Sequence, residues 1–235
     1  MLFIFVLGTV IGSFLNVVII RLKAKKSIFK NRSHCVFCNK KLRWYELIPL
    51  MSFVMQLGKC RGCKKRFSWQ YPLVELFTGL VFLILFIYEF SFFWFIISCF
   101  LIILFVYDLK HYLVPDVIIY PAIILSFVFH FYFIFPGLIG AAFFLVIVLI
   151  SKGKWMGMGD VKIGALMGLL LGFKLLIVAL FLAFLVGALV SIALMIIKKK
   201  KLKSEIPFVP FLAGATFISL LWGNVLINWY LNLFL

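Results

Sequence analysis

The chain has 235 residues, 66% of them hydrophobic, with a mean hydropathy of +1.22 and a formal charge of +17. Hydropathy this high excludes a soluble domain, and long charge-free runs exclude the alternating short strands of a β-barrel, leaving an all-α polytopic membrane protein. The charge would suit nucleic acid, but 14 of the 24 Lys and Arg lie in residues 21–72 against a single acid, Glu46; with no stacking platform or nucleic-acid fold beside them, they read as a positive-inside segment and nucleic acid is excluded as a partner.

Residues 1–20 are apolar, with no basic stretch ahead of them and no small-residue cleavage site behind, the reverse of a secretory signal. They are expected to form an uncleaved first span with its N-terminus outside and Arg21 in the cytoplasm. Within it, the run from Gly12 and Ser13 to Asn16 and Arg21 places small residues and a buried amide where helices pack.

Residues 21–72 form the one sizeable polar region and hold Cys35-x-x-Cys38 and Cys60-x-x-Cys63. Two such knuckles offer four thiolates, the donor set of a closed structural zinc site. Disulfides are the competing reading, disfavoured in a reducing cytoplasm. Surrounding Lys and Arg favour thiolate, and a segment this small gains stability from a metal. His34 adjoins the first pair and is expected beside the site or in solvent, not as a ligand.

Apolar runs then resume. Spans are expected at 73–89 and 91–107, joined outside by Glu89-Phe90-Ser91, and at 117–135 and 137–150, joined at Pro136-Gly137. Cytoplasmic loops cover 108–116 and 151–162. As one helix, residues 163–197 would run about 50 Å, well beyond the hydrocarbon thickness. A break at Gly172-Phe173-Lys174 returns the Lys198–Lys203 run to the cytoplasm, and 207–234 is the last span. The count is about eight transmembrane segments, both termini outside, with every basic residue but Lys174 on the cytoplasmic side.

The chain has three aspartates, Asp108, Asp116 and Asp160. Carboxylates at membrane segments are costly and mark function. Asp108 ends the third span and Asp160 begins the sixth, so both lie at one membrane level. Two such carboxylates sharing a proton can hydrolyse a peptide, one activating water and the other donating to the carbonyl. Gly157 and Gly159 are expected to supply positive φ and close backbone approach beside Asp160. If Asp160 also caps the helix that follows, the dipole favours its ionised form, making it the base and Asp108 the acid. Lys162 can tune the pair or mark the interface; Asp116, after Pro115, is expected to cap a helix. A transporter with a structural zinc site is the alternative class, although these carboxylates gather at one face. Serine and zinc proteolysis lack Gly-x-Ser-x-Gly and His-Glu-x-x-His.

Six stretches, in order, resemble the bacterial prepilin peptidases: the Gly12–Arg21 motif, the paired cysteine knuckles, Ile48-Pro49-Leu50-Met51-Ser52, Tyr71-Pro72-Leu73-Val74-Glu75, Asp108 through Pro115-Asp116, and Gly157-x-Gly159-Asp160-x-Lys162. Val36 departs from the proline many relatives carry after the first knuckle cysteine. The resemblance implies a Gly-x-Gly-Asp aspartyl protease of the cell (inner) membrane with Asp108 and Asp160 catalytic. Its substrates would be type IV prepilins, pseudopilins or competence-pilin precursors, embedded in membrane lipid and cut at the cytoplasmic face. It also implies N-methylation of the new terminus with S-adenosylmethionine, which no cofactor loop in the chain supports independently; a peptidase without methyltransferase activity is the alternative. The corresponding domains are a first span (1–20), a basic four-cysteine domain (21–72) and a membrane peptidase domain (73–235).

Overall fold

The computed structural model describes residues 1–24, 27, 33–35, 37, 38, 40–88, 91–197 and 206–233. Among them are eight α-helices: α1 (Leu2–Lys23), α2 (Met51–Met55), α3 (Gln70–Ile87), α4 (Phe92–His111), α5 (Asp116–Phe129), α6 (Ile134–Ser151), α7 (Met158–Ile196) and α8 (Val209–Asn232). No strand forms among the described residues, only two isolated bridges. Six helices (all but α2 and α5) are long and apolar enough to cross a membrane, so the protein is multi-pass. The chain divides into two compact units, Met1–Ile103 and Leu104–Leu235, with α4 running across the division.

In the first unit α1 packs on α3. Leu15, Val18 and Ile19 of α1 are buried, as are Val74, Val81, Phe82 and Leu85 of α3. Asn16, 1% exposed, fixes the pairing. Its Nδ2 donates to the Tyr71 carbonyl at 3.2 Å, and its Oδ1 accepts from Gln70 Nε2 at 3.0 Å. A buried amide is tolerated only when so satisfied, and here that requirement sets the register of α1 against the start of α3.

The second unit is built around α7, which packs on α5, α6 and α8. A Cβ at Gly168 would stand 2.1 Å from the Pro136 carbonyl oxygen, so glycine is what lets α6 and α7 cross this closely. The 39 residues of α7 are not one straight rod. Gly172 has φ 67° and ψ 179°, a backbone region open to glycine alone, and the helix breaks there. The break falls where the length argument places it.

Several boundaries differ from expectation. The span expected at 117–135 ends as α5 at Phe129, and a short 3-10 turn, Phe131–Phe133, leads into α6 at Ile134. Pro136 therefore lies in the first turn of a helix instead of a loop, a position where its missing N–H costs nothing. Similarly, α3 begins at Gln70, α4 continues to His111, and α7 begins at Met158 inside the expected 151–162 loop. The Glu89-Phe90 part of the external turn, Val36 and the Lys198–Lys203 run lie outside the described residues.

Candidate active site and metal centre

The cysteine knuckles are built alike, 25 residues apart. The Cys35 amide donates to the Lys40 carbonyl, and Cys60 to Lys65, both at 2.9 Å. Leu42 donates to Ser33 at 2.9 Å, and Phe67 to Gly58 at 2.7 Å, closing each loop. All four sulfurs lie within 4.8 Å of one another. Cys35 to Cys63 and Cys38 to Cys60 are each 3.9 Å apart. A tetrahedral site with Zn–S bonds of about 2.3 Å needs sulfurs about 3.8 Å apart, so the donor set and its spacing both fit zinc. Disulfides need about 2.05 Å, and all four thiols are free. The Cys63 amide, and after it the Gly62 amide at 3.4 Å, bring the Cys60 thiol down to about 7 against the opposing effect of burial. His34 is exposed and pairs its backbone with Lys41, outside the sulfur cluster.

The aspartates occupy the second unit. Asp108 sits in the last turn of α4 and Asp160 in the first turn of α7, 5% and 8% exposed. They are close enough for the charge of one to act on the other. Each carboxylate accepts a backbone amide from a helix start. The Val209 N–H, opening α8, donates to Asp108 at 3.2 Å; the Gly157 N–H, at the N-cap of α7, donates to Asp160 at 3.1 Å. The dipole argument for Asp160 as base therefore applies equally to Asp108 and does not separate them. Val209 escaped sequence reasoning, because a backbone donor 101 positions away leaves no residue-type signal.

The glycines do a different job from the one expected. Neither Gly157 nor Gly159 has positive φ. Gly157 is extended (φ −94°, ψ 167°), and a Cβ there would meet only the Gly159 amide nitrogen, at an ordinary 3.9 Å. Gly159 is the crowded one: a Cβ there would meet Val114 Cγ2 at 2.6 Å. Asp116 also departs from expectation. It makes no capping bond, Pro115 being the N-cap of α5. Its carboxylate instead pairs with Lys162, whose Nζ also lies 4.9 Å from the Tyr120 ring centroid. Lys162 thus ties the start of α5 to the start of α7.

The first unit buries carboxylates of its own. Glu75 of α3 accepts the Leu50 N–H at 2.8 Å and a bond from the Ser13 hydroxyl. This joins three of the stretches that carried the resemblance, those at Gly12–Arg21, Ile48–Ser52 and Tyr71–Glu75. Glu46 accepts the Arg43 N–H at 2.8 Å, with Lys40 Nζ at 3.9 Å.

Residues 6–89 match the bacterial peptidase A24 N-terminal domain, and residues 95–192 match the type IV leader peptidase family. The chain is 34% identical to a "Prepilin leader peptidase/N-methyltransferase" of Bacillus subtilis, over 97% of both chains. It is 34% identical to one of Xanthomonas campestris, over 96% of this chain and 92% of that one. It is 30% identical to one of Pseudomonas aeruginosa, over 96% and 91%. No solved structure matches it. Similarity that runs nearly end to end in both partners, through the cysteine knuckles and both buried aspartates alike, leaves one conclusion: the chain belongs to the type IV leader peptidase family.

Proposed function

We propose that this protein is a membrane aspartyl endopeptidase that removes the leader of type IV prepilin-like proteins at the cytoplasmic face and then N-methylates the new terminus. The observation that carries the first activity is the burial of Asp108 and Asp160 together, each steadied by the amide of a helix start. Two buried carboxylates that feel one another's charge can share one proton: the ionised one draws a proton from water, and the protonated one donates to the scissile carbonyl. Gly159 lets the first turn of α7 settle on Val114, and the Asp116–Lys162 pair holds that turn against α5. Lateral delivery suits a substrate whose hydrophobic helix lies in the bilayer while its leader ends at the cytoplasmic surface.

Methylation rests on the names of the relatives and on the first unit, which holds Glu46 and Glu75 beside a zinc-type cysteine cluster. In this reading the Cys35, Cys38, Cys60 and Cys63 thiolates hold zinc as a structural clasp for residues 21–72, and residues 73–235 carry proteolysis. S-adenosylmethionine would supply the methyl group. The test is co-expression with a prepilin, comparing the wild type with Asp108→Ala, Asp116→Ala and Asp160→Ala at matched membrane levels. Cleavage lost with the first and third, and lowered but not abolished with the second, is the expected result, with the wild-type product heavier by one methylene. Cleavage by all three variants refutes the two-aspartate mechanism, and an unmethylated product leaves a peptidase alone.

A further inference from the structure

The segment between α1 and α3 is basic, but it is not polar throughout. Trp44, Met51, Val54, Met55, Leu57 and Trp69 are each at least 61% exposed. They form one patch. Met51, Val54 and Met55 share the outer face of α2, at the i, i+3, i+4 spacing that puts side chains on one side of a helix. The other face, with Ser52, Phe53 and Gln56, turns toward a cavity beside α1. Trp69 lies against Phe53, ring centroids 5.2 Å apart, and the turn that carries Trp44 packs on α2. Clustered apolar side chains left uncovered in this way mark an interaction surface.

The height of the patch along the spanning helices shows what covers it. The Leu50 N–H, at the start of α2, donates to Glu75. Glu75 follows Gln70, the first residue of α3, by five residues, or about 7.5 Å along the helix axis. The 18 residues of α3 reach only about 27 Å, so a span of about 30 Å of hydrocarbon leaves no turn of it outside. On α1, Ser13, Val17 and Arg21 line the same cavity as Ser52 and Phe53, and the apolar run of α1 ends only at Arg21. Both helices therefore hold α2 beside their own apolar turns, inside the membrane edge.

Charge points the same way. Arg43 adjoins Trp44, Lys59 lies two residues past Leu57 and Arg66 three before Trp69, and all three cations are exposed. The one acid of residues 21–72, Glu46, is buried. Tryptophan and basic residues around a small apolar face suit a segment lying in the membrane interface, its apolar side about 5–10 Å deep and its cations among anionic phosphates. A second copy of the chain would instead lay one acid-free basic surface on another. We infer that residues 44–57 and Trp69 form an interfacial anchor, seated in the leaflet beside α1 and α3, with Arg43, Lys59 and Arg66 on the headgroups of anionic lipid. The cysteine knuckles, which flank this segment in the chain, are thereby held at the membrane surface.

The test uses the full chain in nanodiscs of equal parts phosphatidylglycerol and phosphatidylcholine, with a fluorescent non-natural residue replacing the exposed Val54. Melting temperature and zinc content, compared with the wild type, report its folding. Lipids carry a nitroxide either near the glycerol or near the chain end, and acrylamide is the quencher in water. The shallow nitroxide should quench more than the deep one, and acrylamide should quench several-fold less than in the denatured chain. Omitting phosphatidylglycerol, or replacing Arg43, Lys59 and Arg66 by Gln, should each raise acrylamide quenching, and the two together no more than either alone. Acrylamide quenching equal to that of the denatured chain places the segment in water and overturns the anchor. Exclusion of acrylamide without quenching by either lipid also overturns it, since a second copy or another protein is then the cover. Equal quenching in neutral and anionic discs overturns the headgroup contact.

Discussion

Adding a single methyl group at Gly159 should slow leader cleavage while leaving the protein folded. The Cβ of Gly159→Ala would lie 2.6 Å from Val114 Cγ2 and 3.0 Å from Val114 Cβ. Carbon atoms in contact prefer about 3.5–4.0 Å, so the shortfall is about 1 Å. Val114 cannot easily retreat, since Pro115 restricts the backbone before it. The strain therefore passes to the first turn of α7, where Asp160 is the next residue. A misplacement of about 1 Å costs about a hundredfold in rate, or about 2.7 kcal/mol of transition-state stabilisation. Val114→Ala in the same chain removes Cγ2 and leaves the 3.0 Å contact, so about tenfold of the loss should return. The assay is single-turnover cleavage of a purified prepilin in nanodiscs, with melting temperature as the control for folding. Cleavage by Gly159→Ala within about threefold of wild type would refute the reasoning, as would a double variant slower than the single one.

Lys162→Met should lower cleavage while shifting the melting temperature little, because a pair whose Asp116 side chain is 61% exposed contributes under about 1 kcal/mol to stability. Asp116→Asn should have a similar effect, and the two together should cost no more than one alone, read as a double-mutant cycle on cleavage rate. Cys60→Ser should lose zinc, measured by elemental analysis, and expose residues 33–67 to limited proteolysis, while the same region in the wild type yields only after chelation. Gly168→Val should destabilise the second unit by about 3 kcal/mol or more in detergent unfolding, because the new Cβ meets backbone and not a movable side chain.

The parts of the molecule legible beforehand were those whose signal is local. Each cysteine knuckle is a short loop with its ligands at fixed spacing, so its geometry follows from the sequence around it. The break in α7 was legible because a glycine coincides with an impossible helix length. The aspartates stood out because charge is rare in hydrocarbon. What stayed hidden depends on partners distant in the chain. Lys162 and Asp116 are 46 residues apart, and Glu75 and Leu50 are 25 apart. No periodicity announces such pairings, since burial decides them only once the helices have packed. The helix starts were misplaced for a related reason: glycines read as loop, yet Gly157 serves as an N-cap and Gly159 sits in the first turn.

Two elements beside the site, α5 with Asp116 at its start and the first part of α7 with Asp160, are unusually short. α5 has 14 residues, and the part of α7 before its break runs only from Met158 to Leu171. At 1.5 Å per residue each is about 21 Å long, against a hydrocarbon core of about 30 Å. Segments that fall so far short create hydrophobic mismatch, which a bilayer relieves by thinning around them. On the two-aspartate reading proposed above, such thinning would bring headgroups and water toward Asp108 and Asp160 from the side, and a hydrolase working there would need no channel for its second substrate. The same thinning would lower the barrier for a substrate helix to slide out of thicker membrane with its scissile end already wet.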